Sequence, residues 1–302
     1  MEADMLGLRY MVRLGYDPTA MTTFLKKIRA HAELEARQKG NEGVPHNFMS
    51  THPRNQDRVN QAVKLAKSKT PAHPIVNADV YLNRIDGIIF GDDPSQGVVR
   101  GRVFQHPELG ITFKVPPEFT VFNSRRRVTA FGPNQARIIF DMANSKEASK
   151  IRNLIAYLKN VWGKNLNLQD LELLEINGMR AATGRARAFV SGQSRELRLV
   201  VIQEERDRIY RLIFMAAPSD MQKFSEEFRR STYSFRRLTK AEARAIQPLR
   251  LKVITARPGD TIASVAKNFP FPSFQREWFR LLNSMKIGQQ ITPGERIKVV
   301  TE

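Results

Sequence analysis

The apolar residues of this chain change period twice. From residue 2 to about residue 90 they recur at helical spacing, as in Met5, Leu8, Met11 and Val12, then Met21, Phe24, Leu25 and Ile28. From about residue 101 to 216 they alternate, as side chains do on a pleated strand. Beyond about residue 249 the pattern is strand, two short helices and strand. No single bundle or sheet accommodates all three regimes, so the chain is expected to be α+β and built from several packed blocks. Its 302 residues allow two or three such blocks.

The first block reads as helices. Residues 2–14 form one, with Gly15 after it as a C-cap. Asp17 caps the next at Pro18, which runs to about Gln38. Gly40, Gly43, Pro45 and Pro53 make 39–54 a loop, and a third helix spans about Asn55 to Lys67. Three helices of this size make a poor core alone. Residues 71–98 read as a linker with an isolated amphipathic helix at 77–90. The block 99–240 reads as strands at 101–106, 111–115, 119–124, 127–132 and 136–142, then a helix at 146–162. Strands follow near 171–177, 179–190, 195–204 and 208–216, with a helix from Pro218 to about Arg230. Residues 241–302 read as β-α-α-β: a strand from Leu249 to Thr255, helices capped by Asp260 and Ser273, and a strand from Glu295 to Val300.

Charge narrows the partners. The chain holds 49 Lys and Arg against 30 Asp and Glu. The basic excess is two in residues 1–98, twelve in 99–240 and five in 241–302. Such a field favours anionic partners. No aromatic RNA-binding motif, zinc finger or recognition helix accompanies it, which disfavours nucleic acid. Arg125, Arg126 and Arg127 could gather an anion, although a solvated strand end explains them as well. No stretch approaches the roughly 18 consecutive apolar residues of a membrane span. The opening MEADMLGLRYMVRLG has neither the basic start nor the apolar middle of a secretory leader.

Complete catalytic constellations are missing from these residues. There is no Cys, and the five His (31, 46, 52, 73 and 106) form no HExxH, in which two His one helical turn apart hold zinc. No G-x-S-x-G elbow, phosphate loop or dinucleotide fingerprint is present. His31 falls on a charged helix face and is expected at the surface.

Two segments of the first block nevertheless resemble the HtpX/BepA family of bacterial zinc metallopeptidases. One is Glu2-Ala3-Asp4, Gly7, Gly15-Tyr16-Asp17-Pro18, Ala20-Met21 and Phe24-Leu25. The other is Ser50-Thr51-His52-Pro53 with Gln56-Asp57-Arg58-Val59. The resemblance covers residues 1–68 and implies that 1–70 are the helical end of a metallopeptidase domain. It implies that zinc in the complete family member is held by HExxH and by a Glu one position before Met1, none of them in this chain. Zinc there polarises a peptide carbonyl and activates water. Asp4, with Glu2 beside it, would be a carboxylate orienting a zinc-binding His, and His52 an extra or occluding ligand. Read without the resemblance, Asp4 is a charge in a first helical turn and His52 a turn residue.

The middle block, in VFQHPELGITFKVPPEFTVFNS and FSEEFRRSTYSFRRLT, looks like a PsbP-like domain, a fold that names no activity. The tail resembles a LysM module, a βααβ domain that binds N-acetylglucosamine polymers. Arg257-Pro258-Gly259-Asp260-Thr261, Leu281-Leu282-Asn283 and Ile291-Thr292-Pro293-Gly294-Glu295 carry that likeness. It makes Gly259, Asp260, Thr261, Asn283, Pro293 and Gly294 candidate glycan contacts. The Pro- and Phe-rich stretch from Phe269 to Ser273 departs from the LysM pattern. Together these resemblances imply the C-terminal part of an envelope metalloendopeptidase in the periplasm of a Gram-negative bacterium. Its clients would be unfolded or misassembled envelope proteins, and peptidoglycan a further partner. This chain alone is expected to be inactive and to hold zinc loosely if at all. The alternatives are a non-catalytic envelope adaptor that binds peptidoglycan or protein and, behind it, a basic nucleic-acid-binding protein.

Overall fold

A computed structural model describes residues 2–38, 71–144, 148, 151–205, 207–271 and 273–302. The chain divides into two compact units, Met1–Phe90 with Leu249–Glu302, and Gly91–Pro248. The second is therefore inserted in the sequence of the first.

The discontinuous unit begins with helices α1 (Glu2–Arg13) and α2 (Thr19–Gln38). Gly15, at φ +79°, ends the first, and the Asp17 carboxylate accepts from Thr19 N at 2.8 Å to start the second. Residues around Ile75 brace this corner, since Ile75 N donates to Gly15 O and Asp17 N donates to Ile75 O. Leu25 is buried as its spacing requires, but Phe24 is 57% exposed. The expected helix at 55–67 lies outside the described residues.

Helix α3 (Ala78–Ile85) ends before Gly87, whose φ is +83°. The chain then runs extended instead of continuing the helix to residue 90, and pairs with a strand far along the sequence. Gly87 N donates to Leu251 O, Leu251 N to Ile88 O, and Phe90 N to Leu249 O, at 2.7–2.9 Å. The helix expected to stand alone is thus tied to the tail, where Arg296 also bonds Asp79 and Asn83.

The inserted unit is antiparallel throughout. Strands β1 (Val98–Arg100), β2 (Val103–His106) and β3 (Ile111–Lys114) form a small sheet. Next come β4 (Thr120–Ser124), β5 (Arg127–Phe131) and β6 (Arg137–Met142). Helix α4 (Leu154–Tyr157) follows and runs into a π turn over Leu158–Trp162. Then come β7 (Gln169–Ile176), β8 (Met179–Val190), β9 (Gln193–Glu205) and β10 (Arg208–Ala216). Helix α5 (Pro218–Tyr233) precedes a short β11 (Arg236–Arg237) and α6 (Lys240–Ala245). The seven-stranded sheet has the order β4-β5-β6-β10-β9-β8-β7, and β11 completes the small sheet beside β3.

Both faces of the large sheet are covered. Val200 and Ile202 point into an aromatic cluster with Phe113, Phe140, Tyr210 and Phe228, whereas Leu199 and Val201 point to Leu154, Tyr157 and Leu158. That explains the uninterrupted apolar run in β9, because a strand buried on both sides has no solvent face to alternate with. Arg211 joins the π turn to the sheet. It donates to Asp141 at 2.6 and 2.9 Å and to Tyr157 Oη at 3.3 Å, and it lies 5.3 Å from the Trp162 ring.

Two element bounds differ from the expected ones. The helix placed at 146–162 has a regular described part that starts only at Leu154, because Asn153 accepts from Ala156 N and caps it there. Helix α6 extends the middle unit past residue 240. Thr239 and Glu242 form a capping box, and Glu242 pairs with Arg236 at 2.7 Å. The Arg125–Arg127 run is exposed where β4 turns into β5, the solvated strand end that the sequence offered.

The tail closes the first unit with β12 (Arg250–Thr255), α7 (Ile262–Ala266), α8 (Gln275–Asn283) and β13 (Arg296–Thr301). Its two strands pair antiparallel, as expected. The caps differ from expectation. Thr261 caps α7 through Ser264 N, while Asp260 accepts from Arg257 N inside the preceding turn. Phe274, in the left-handed region at φ +59°, starts α8 in place of Ser273.

One position tests the inserted core. Gly97 has φ +83°, and a Cβ there would lie 2.5 Å from the buried Phe104 ring. Gly97→Ala is expected to cost about 2–4 kcal/mol, from left-handed strain plus overpacking, read as a shifted midpoint in urea denaturation.

Candidate functional site

The metallopeptidase-like residues sit on α1 and α2. Asp4 is half-buried in the first turns of α1, and Glu2 is the first residue of that helix. A Cβ at Gly7 would lie 2.9 Å from Met21 Cε, the mobile end of a side chain on α2. His52 and its Thr-His-Pro segment lie outside the described residues. Among the described residues, no three His, Cys, Asp or Glu gather closely enough to hold a metal ion. They do not supply a zinc site by themselves.

The six glycan candidates fall into two places. Gly259, Asp260 and Thr261 lie in the turn before α7, and Pro293 and Gly294 in the turn before β13. Ala256 N donates to Glu295 O and Gly294 N to Ala256 O, which ties these turns together. Gly259 and Gly294 have φ of +88° and +84°, conformations that favour glycine. The joined turns are mostly exposed. Asn283 is elsewhere, at the end of α8. Its amide donates to Phe279 O and Lys298 O, and its oxygen accepts from Lys298 N at 2.7 Å. That side chain stitches helix to strand.

The Phe-rich stretch between the helices serves packing. Phe269 is buried against Phe279, and Phe271 lies 5.2 Å from the Trp278 ring. His31, exposed as expected, sets its ring edge-on to Trp278 at 5.3 Å. Leu34 of α2 joins the core of the βααβ tail, and Lys27 Nζ donates to Leu282 O at 3.3 Å. Sequence reading passed over Lys27 and Lys298, because no motif marks residues brought together from opposite ends of the chain. Burial, and secondarily the charge of Lys27, pushes the Lys298 amine down to about 8.

Comparison with known proteins bears mainly on the N-terminus. Residues 1–66 match the family model for peptidase family M48. The beta-barrel assembly-enhancing protease of Escherichia coli K12 is 33% identical over 81 residues, which are 27% of this chain and 15% of that protein. Its counterpart from Yersinia pestis is 33% identical over 97 residues, 31% of this chain and 18% of that one. The chain thus spans under a fifth of the length of these curated relatives. Among solved structures, a cyanobacterial PsbP from Synechocystis is 12% identical with a TM-score of 0.34, covering 49% of this chain and 98% of its own. LpqN of Mycobacterium tuberculosis is 12% identical with a TM-score of 0.32, covering 55% and 99%. The N-terminal 66 residues are metallopeptidase-related, and the whole is a mixed α+β chain with antiparallel sheets.

Two outcomes follow from the α8–β13 junction. Asn283→Ala strands a backbone N–H and a carbonyl of Lys298, and is expected to cost about 2 kcal/mol in chemical denaturation. Lys298 binds its proton less tightly folded than unfolded, where the value is about 10.4. Between about pH 8 and 10.4 the unfolded state therefore holds more protons, and the native state gains stability as pH rises. Lys298→Met should melt higher than the parent near neutral pH, and this advantage should shrink as pH rises from 8 towards 10. An unchanged gap between the two melting curves would refute the assignment.

Proposed function

We propose that this chain is the part of a bacterial envelope zinc metalloendopeptidase of the M48 type that follows its HExxH helix and third zinc ligand. The match over residues 1–66 carries this reading, because both metallopeptidase-like segments fall inside it in family order. On this reading Asp4 orients a zinc-binding His, and His52 is an extra or occluding ligand. The curated relatives are named as proteases that enhance beta-barrel assembly. That name supports unfolded or misassembled envelope proteins as clients and the periplasm as the site of action. The inserted unit is read as PsbP-like from its sequence runs. The tail is read as LysM-like from its βααβ order and its P-G-D-T and I-T-P-G turns.

A second reading, a non-catalytic adaptor that binds peptidoglycan, is favoured by the exposure of the joined turns at 257–261 and 292–295. The two part on the DNA upstream of the Met1 codon and on zinc content. The metallopeptidase reading expects an in-frame HExxH and a Glu codon next to Met1. It also expects well under one zinc per chain in elemental analysis of the purified 302-residue protein, and no peptide hydrolysis by it. A stop codon directly upstream, together with pull-down by purified peptidoglycan, would favour the adaptor. One tightly held zinc per chain would defeat both.

A further inference from the structure

Within the discontinuous unit, α2 and α8 border a cleft of about 670 Å³. Its walls carry Lys26, Lys27, Arg37 and Arg280, set against two carboxylates, Glu33 and Glu277. Glu33 is already engaged by Arg29 at 2.7 Å. Among the described residues none of the four cations makes an ion pair. Arg280 Nε is buried with no hydrogen-bond partner among the described residues. A buried guanidinium nitrogen without a partner is costly, and a carboxylate beside the guanidinium is the group that offsets its charge. The floor is apolar, with Leu34, Leu281 and Met285, and Ile287 stands 94% exposed at the edge.

We propose that this cleft binds a short acidic peptide, its apolar side chains on Leu281 and Met285 and its carboxylates on Lys27 and Arg280. The cleft is many times larger than an inorganic anion, and the apolar floor would be wasted on one. Polyphosphates and nucleic acids would meet Glu33 and Glu277 across the same space. A peptide instead brings N–H donors that suit Glu277, and groups for the hydroxyls of Thr23 and Ser284 at the edge. Burial holds the Lys27 amine below its usual range, and the Lys27 charge adds repulsion to the neighbouring Lys298. A bound carboxylate offsets that repulsion. The site uses no metal and does not depend on the metallopeptidase reading.

The test is calorimetric titration of the full 302-residue chain at low ionic strength. The probes are N-acetyl-Leu-Glu-Leu-Glu with a free carboxy terminus, its Gln-substituted amide, and inorganic phosphate alone. The acidic peptide is expected to bind at least about 10-fold more tightly than the neutral one and than phosphate. Lys27→Gln and Arg280→Gln should each weaken it by about 10-fold. Lys27→Gln should also melt slightly higher than the parent without ligand, an effect that loss of fold cannot mimic. If Arg280→Gln fails to fold, the rim double variant K26Q/R37Q at two exposed positions replaces it, with the same expected loss. No binding of the acidic peptide at about 1 mM overturns the proposal. So does equal binding of the neutral peptide or of phosphate, or an affinity that the folded variants leave unchanged.

Discussion

The arrangement of this chain depends on three backbone hydrogen bonds. They link residues 87–90 to residues 249–251 and bring together two points separated by the whole inserted unit. Closing so long a loop carries an entropic cost that grows only with the logarithm of its length. The inserted unit lowers that cost by folding compactly between the two points. On the near side of the closure, α3 and the segment after Gly87 add an extended edge to β12. On the far side, the βααβ tail gains the cover that its two strands alone could not provide. Helix α2 then has an apolar neighbour for Leu34 and a carbonyl for Lys27. The poor core expected of the N-terminal helices alone is thus completed from the opposite end of the chain.

What the sequence made legible follows from how local each signal is. The strands of the inserted unit lie close to where alternation placed them, clearest in strands such as β5, whose inward and outward side chains differ. In β8, β9 and β10 both faces carry buried residues, so alternation is weaker there. Cap chemistry was harder to place. Asp260 and Thr261 are adjacent and both favour helix starts, and only the turn at Gly259 decides which of them faces the helix. The capping box at Thr239-x-x-Glu242 was readable and marks a helix the periodicity missed, since α6 is too short to show a stripe. The pairing of Ile88 with Leu251 left no local trace. Strand partners far apart in sequence are selected by packing, which no window of residues records.

The candidate sites divide along the same line. Asp4 and the joined turns of the tail were singled out because a resemblance is carried by short runs of residues. Asn283 was recognisable too, but the structure shows its amide committed to the β13 backbone, so its spacing records architecture. The charged cleft was invisible, because Lys27 and Arg280 approach each other only after the chain closes on itself. Its physical signature is an unpartnered buried donor beside unpaired cations, and that exists only in three dimensions.

The discontinuity also orders events in time. A ribosome releases the chain from the N-terminus, so α2 and α3 emerge well before the helix and strand they pack against. The inserted unit is contiguous and can complete its sheets while the tail is still being made. These earlier-emerging helices are therefore among the last elements of the unit to reach their final surroundings. Until then, their apolar faces are the part of the nascent chain most in need of shelter.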